Sequence, residues 1–230
     1  PGAIFCAETL HPNDACSHPN PLLVYKAVAS DPDTMYYHQA IKQPDKEQFI
    51  AGMQREMERQ MEDGNFTIVH RKTIPRGVTV FRAVWQMKRK RDILTRKVKT
   101  HKSRLAFDGS MMESGEHYDL TYAPVALWPS IRLVLSLVVC FRWHSVQIDY
   151  VLAYPQAPAE RPLYMEIPCG YELDEGKSKH DYALLLNANL YGLKQAGRVW
   201  FLHLSKRLVE KVGFIQSRND ECVFYGSKVI

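Results

Sequence analysis

The chain has 230 residues, 46% of them hydrophobic and 24% charged, with a net charge of +5, which is the balance of an ordinary globular protein of one large domain or two small ones. The longest apolar run, around Ile131 to Phe141, is broken by Arg132 and is too short to span a bilayer, which excludes a membrane role for it. Five cysteines, an odd and widely spaced set, together with no recognisable signal peptide, point to free thiols in a reducing compartment. Cys6, His11, Cys16 and His18 match no common zinc-ligand spacing.

Residues 1 to 43 are rich in Pro, Asn, Asp, His and Ser, and read as a linker or loosely ordered arm with one apolar patch at Leu22 to Tyr25. A helix is predicted to follow from Pro44. Asp45 and Glu47 suit its N-terminus, and Phe49, Met53, Met57 and Met61 form a core stripe ending at Gly64. Val78 to Met87 is predicted as a strand with Phe81, Ala83, Trp85 and Met87 on one face.

The charge is concentrated in the next segment. Arg82 to Arg104 holds ten basic residues and one acid, a local charge of +9 that leaves −4 for the rest. The segment turns near Asp92 to Thr95 and returns through Lys99 to Phe107, which predicts a β-hairpin with a positive tip. Such a hairpin suits a polyphosphate partner, because neutralising phosphates releases counterions; a solvated lysine-rich face is the alternative.

A loop marked by Gly109 and Gly115 leads to a second helix from Ser130 to Phe141, apolar on most sides and therefore expected to be buried. A strand is predicted from Ser145 to Val151, holding Asp149 between Ile148 and Tyr150. Short strands are predicted at Tyr164 to Ile167 and Tyr182 to Leu186. A third helix after Gly192 carries Trp200, Leu204 and Leu208 as its core face and stops at Gly213, and Cys222 to Tyr225 begins a last strand. The order of elements predicts an α+β fold without βαβ repeats.

A carboxylate such as Asp149 near the end of an apolar strand needs a cation, a metal or a helix N-terminus. By itself it is either a cap for a helix starting near Val151 or a ligand. Its surroundings decide the reading. Gln147-Ile148-Asp149-Tyr150-Val151-Leu152-Ala153-Tyr154 is preceded by Lys102-Ser103-Arg104-Leu105-Ala106 and by Tyr118-Asp119-Leu120-Thr121-Tyr122-Ala123-Pro124-Val125. It is followed by Leu163-Tyr164-Met165-Glu166-Ile167-Pro168, by Leu190-Tyr191-Gly192-Leu193-Lys194-Gln195-Ala196-Gly197, and by Asp220-Glu221-Cys222-Val223-Phe224. These six blocks, in this order across residues 45 to 230, resemble the reverse transcriptase domain of copia-type retrotransposons (Pseudoviridae).

The resemblance implies an antiparallel sheet with packed helices, arranged as fingers and a partial palm from residue 44 to 230. It implies RNA-directed DNA synthesis by two-metal nucleotidyl transfer with Mg²⁺. Asp149 would be the catalytic metal ligand, helped by the backbone carbonyl of Tyr150. Lys102 and Arg104 would grip the incoming triphosphate, and Tyr154 would stack under the sugar and exclude a 2′-hydroxyl. Tyr191, Gly192, Lys194 and Gln195 would support nucleotide and template. The expected partners are an RNA or DNA template-primer and deoxynucleotides. The expected setting is intracellular and cytoplasmic, a virus-like particle in the intact element. Integrase and ribonuclease H regions are not recognised in the chain. The family's Tyr-x-Asp-Asp box is likewise not found in the sequence. The expectation is therefore a fragment, incomplete and inactive as a polymerase by itself. The alternative is a non-catalytic remnant that binds nucleic acid through the basic hairpin.

Overall fold

The computed structural model describes residues 31–174 and 176–226. The apolar patch at Leu22 to Tyr25 and the Cys6/His11/Cys16/His18 set lie outside the described residues. Among the described residues, three sheets and four α-helices form an α+β arrangement.

The first sheet runs in the order β1 (Thr34–Tyr36), β4 (Ala83–Arg91), β5 (Val98–Phe107), all antiparallel. β1 and the short helix α1 (Tyr37–Ala40) fall within the stretch expected to be a loose arm. Their order has a plain cause: Met35 pairs with Met87 and is buried beside it, and Ala40 is fully buried.

β4 and β5 are the predicted hairpin. Asp92 closes its turn, accepting from the backbone N–H groups of Leu94 and Thr95 at 3.0 and 2.8 Å. Cross-strand pairing sets two faces. Trp85/Leu105 and Met87/Ser103 look inward, and Gln86/Arg104 and Lys88/Lys102 look outward.

Helix α2 (Lys46–Glu62) lies on the inward face. Phe49, Met53 and Met57 are buried there, each worth roughly 1.5–3 kcal/mol. Met61, expected in the same stripe, is 42% exposed. Residues four apart advance by about 40° around a helix, so the fourth member of the stripe has rotated about 120° out of the core. Gly52 lets β5 approach. A Cβ there would lie 2.8 Å from Ser103 Oγ, and that hydroxyl donates to the Phe49 carbonyl at 2.9 Å.

The second sheet has the order β2 (Phe66–His70), β7 (Tyr182–Leu186), β6 (Tyr164–Glu166), β3 (Val80–Phe81), with only β3 and β6 parallel. The strand expected from Val78 to Met87 is thus two strands in different sheets. The chain changes sheet at Arg82, whose carbonyl accepts from the Asp108 N–H at 2.9 Å. Helix α4 (Ala196–Glu210) packs with Ala196, Val199 and Ser205 buried, while Trp200, Leu204 and Leu208, the expected core face, are only half-buried. Trp200 meets Tyr150 edge-on instead, with ring centroids 5.3 Å apart. β8 (Ile215–Gln216) and β9 (Phe224–Tyr225) form a small ribbon.

Two expectations fail between these parts. Helix α3 (Trp128–Phe141) forms where predicted, but none of its residues is buried. Val134, Leu137 and Val138 are half-buried, and its other apolar side chains are exposed. The strand expected from Ser145 to Val151 does not form: residues 143–150 have no regular structure. A strand needs a ladder partner for its N–H and C=O groups. Among the described residues none runs alongside, and Val146 and Ile148 are exposed.

Candidate nucleotide site

Three stretches of chain and one helix converge on a cleft of about 300 Å³. Lys102 and Arg104 from β5, Asp149 to Leu152, Tyr191, and Glu56 and Arg59 from α2 line it. β5 brings Lys102 and Arg104 there because they alternate on the outward face. Tyr191 arrives through a tight junction with the end of β5. Its carbonyl accepts from the Phe107 N–H at 2.7 Å, and Gly192 follows with φ +96°. A Cβ on Gly192 would lie 1.9 Å from the Phe107 carbonyl oxygen, so only glycine fits. Gly109 faces Gly192 just as closely, at 2.3 Å from a notional Cβ to the Gly192 carbonyl oxygen.

The cleft's cations are arranged rather than scattered. The Arg104 guanidinium lies 4.2 Å from the centroid of the Tyr191 ring, and the Tyr154 ring tilts against the same ring with centroids 5.0 Å apart. Desolvation, then the like charges of Arg104 and Lys90, hold the Lys102 ammonium below its ordinary pKa, while Glu56 and Asp149 act in the opposite sense.

Asp149 lies on the exposed irregular segment rather than in a strand. It is not a helix cap either, since the turn at Tyr154–Gln156 begins from Ala153 and has no side-chain cap. The bend that follows is strained: Leu152 takes φ +51°. Lys194 is turned from the cleft and donates to the Met112 carbonyl at 3.0 Å, with its ammonium 5.3 Å from the Tyr118 ring. Gln195 is buried, and its Oε1 has no hydrogen-bond partner among the described residues.

The hairpin's charge is divided. Arg89 donates twice to Asp45 at 2.6 Å, and Arg91 donates twice to Asp33 at 2.6 and 2.8 Å. His101 shares Asp45 at 2.7 Å, Lys88 meets Asp31 at 3.3 Å, and Arg82 meets Asp108 at 3.9 Å. The Arg89 fork holds the Asp45 carboxyl well below the usual carboxylate range. Lys90, Arg96, Lys97, Lys99, Lys102 and Arg104 have no carboxylate within 4.0 Å among the described residues. A second groove, about 600 Å³, runs over the outward face between Tyr36, Gln39, Gln86, Lys88, Lys90 and the shared pair Lys102 and Arg104.

Sequence reasoning missed Glu56 and Arg59, which sit next to buried Met57 and Gln60 and gave no signal beyond helical amphipathicity. It also gave Asp220 another place. That carboxylate accepts from the Leu127 and Cys222 N–H groups at 2.9 Å each and so caps α3 across 93 residues of chain. A hydrogen bond from the Ser130 hydroxyl, and then these two backbone bonds, lower its pKa.

A metal is the remaining question for this site. Mg²⁺ requires near-octahedral oxygen coordination. Asp149 and the Tyr150 carbonyl are the donors expected to supply it, and among the described residues no group of three His, Cys, Asp or Glu side chains is placed to hold a metal ion. The donor set does not fit a two-metal centre.

Comparison with known proteins places these features in a family. Residues 65–228 match the family described as Reverse transcriptase (RNA-dependent DNA polymerase). The chain is 29% identical over 205 residues to the Retrovirus-related Pol polyprotein from transposon TNT 1-94 of Nicotiana tabacum, covering 89% of this chain and 15% of that polyprotein. It is 33% identical over 215 residues to the corresponding polyprotein from transposon RE1 of Arabidopsis thaliana, covering 90% and 13%. To the Transposon Ty1-BL Gag-Pol polyprotein of Saccharomyces cerevisiae it is 27% identical over 130 residues, covering 56% and 7%. The chain thus spans less than a sixth of the curated relatives it matches. No solved structure matches it.

Proposed function

Because the chain belongs to the reverse transcriptase (RNA-dependent DNA polymerase) family, in its copia-type retrotransposon form, we propose that residues 44–230 are fingers and part of a palm, and that they receive the incoming deoxynucleotide. The observation that carries this reading is the convergence of Lys102, Arg104, Asp149, Tyr150 and Tyr191 on one cleft. Arg104 presents a planar fork to phosphate oxygens, with Tyr191 beneath it fixing its plane. Lys102 adds a point charge on the same outward face of the strand. Tyr154 does not line the cleft but packs on Tyr191, which does, and is the residue proposed to set the preference for a deoxyribose. Gly192 fixes the junction, and Lys194 and Gln195 support it from behind.

Reverse transcriptases use divalent metals, and Asp149 with the Tyr150 carbonyl is the place in this chain from which a Mg²⁺ ligand set would start. The donors described do not complete it, so no catalytic step is assigned, and the chain by itself is expected to bind nucleotide rather than polymerise. Template-primer, a cytoplasmic particle and the remaining polyprotein regions belong to the same proposal. Among the described residues no helix is long and apolar enough to cross a membrane. Calorimetry with a deoxynucleoside triphosphate and Mg²⁺ tests the reading. Arg104→Gln should weaken binding about tenfold or more, the scale of a lost charged hydrogen bond, and Lys97→Gln at the hairpin tip should not. Equal affinities for Arg104→Gln and the unsubstituted chain would refute it.

A second reading has its own support. The outward groove, with Lys90, Lys102 and Arg104 outside ion-pair distance of any described carboxylate and Tyr36 exposed, suits a nucleic-acid strand held by charge and base stacking. Neutralising Arg96, Lys97 and Lys99 should lower the salt slope of single-strand binding by about 2, and a salt-independent affinity would rule this out.

A further inference from the structure

The proposed nucleotide site rests on two hairpin cations, yet its cleft has a third wall. Helix α2 presents Glu56 and Arg59 to it, one turn apart. The two differ in how they are held. Glu56 ends a buried amide relay: Asn65 Nδ2 donates to Gln60 Oε1 at 2.8 Å, and Gln60 Nε2 donates to Glu56 Oε1 at 3.2 Å. Gln60 is fully buried and Asn65 is 5% exposed, so the relay is rigid. Glu56 is therefore fixed by the protein, and its charge acts on Lys102.

Arg59 is not claimed in this way. Glu56 is not within ion-pair distance of it, and its nearest carboxylate is Asp63 at 3.9 Å, with both side chains about half exposed. A pair of that kind contributes little and is readily exchanged for a better anion. The cleft then holds three cations, Arg59, Lys102 and Arg104, against two carboxylates, of which Asp149 is the family's metal ligand by resemblance. Even with Mg²⁺ bound a nucleoside triphosphate stays anionic, and in the cleft Lys102 and Arg104 are already offset by Glu56 and Asp149.

We propose that Arg59 of α2 is a third phosphate-binding residue of this cleft, reaching the incoming nucleotide from the helix side. The proposal rests on the nucleotide-site reading above, and the experiment separates the two. The full chain is titrated with inorganic tripolyphosphate, with dATP and with dAMP, each with Mg²⁺, as the unsubstituted protein and as Arg59→Gln, Arg59→Lys, Arg104→Gln and Lys97→Gln. Glutamine is a good helix former at an exposed position, so circular dichroism should show α2 intact.

The expected result is that Arg59→Gln weakens tripolyphosphate and dATP about tenfold, affects dAMP less, and is partly rescued by Arg59→Lys. If Arg104→Gln weakens binding and Arg59→Gln does not, Arg59 has no such role and the nucleotide site stands. If neither substitution changes binding, both are overturned. A loss no larger for dATP than for dAMP also overturns the proposal, because it would mean that Arg59 does not read the polyphosphate.

Discussion

Helix α2 has 17 residues, many of them charged, and buries five; helix α3 has 14, nearly all apolar, and buries none. The comparison shows that a segment's hydrophobicity does not decide whether it is buried. α2 is covered because it meets a surface built to receive it. Ser103 ties it to β5, Gly52 admits the strand, and Asp45 straps its start to Arg89 and His101. α3 meets the rest of the chain through its N-terminus, where Asp220 caps it. Polar contacts of fixed geometry place the first helix, and the Asp220 carboxylate anchors the second at its start.

The comparison is most easily broken by truncating one residue on each side. Met57→Ala removes a fully buried side chain from α2 and should cost about 2–5 kcal/mol. Leu133→Ala on α3, at 60% exposure, should cost within about 0.5 kcal/mol. Urea midpoints of the two variants measure the difference, and equal losses would show that α3 is packed as tightly as α2.

Gly192→Ala should come next. It forces a Cβ into the Phe107 carbonyl at a backbone angle that alanine avoids, at a cost of roughly 1–3 kcal/mol, and should weaken nucleotide binding by displacing Tyr191. An unchanged melting temperature would mean that the junction is not tight.

Asp45→Asn sharpens the strap. Asp45 has its pKa depressed in the folded state by Arg89, so its contribution is fully present above the ordinary carboxylate value of 3.8 and is lost as pH falls below it toward the folded value. The substitution should cost about 1–3 kcal/mol at neutral pH and flatten the acid limb of the stability profile below pH 4. An unchanged acid limb would assign the acid sensitivity elsewhere. The smallest effect is local: Asp220→Ala should speed hydrogen exchange at the Leu127 and Cys222 amides while leaving protection in α2 unaltered.

Much of this was legible in the chain. The hairpin followed from alternation around Trp85 and Met87, α2 from its methionine spacing, and the Gly192 turn from the need for glycine before a helix. Lys102 and Arg104 were legible as a same-face pair because strands alternate by two. What the sequence could not carry was partnership between distant segments. Ser145 to Val151 has the residues of a strand, but strand pairing is decided by what lies alongside. Arg82, where the chain leaves one sheet for another, carries no local mark of that change. Arg59 and Glu56 read only as the wet side of a helix, and their convergence with Lys102 depends on how α2 crosses β5.

The carboxylates of Asp33 and Asp45 have a consequence for kinetics. By covering Arg89 and Arg91 with bidentate pairs, they silence one side of the hairpin and leave its field to Lys90, Lys102, Arg104 and the tip. The ribbon is therefore electrically one-sided. An approaching polyanion is drawn toward the groove side before any contact forms, so the ion pairs that hold the hairpin in place also aim the encounter.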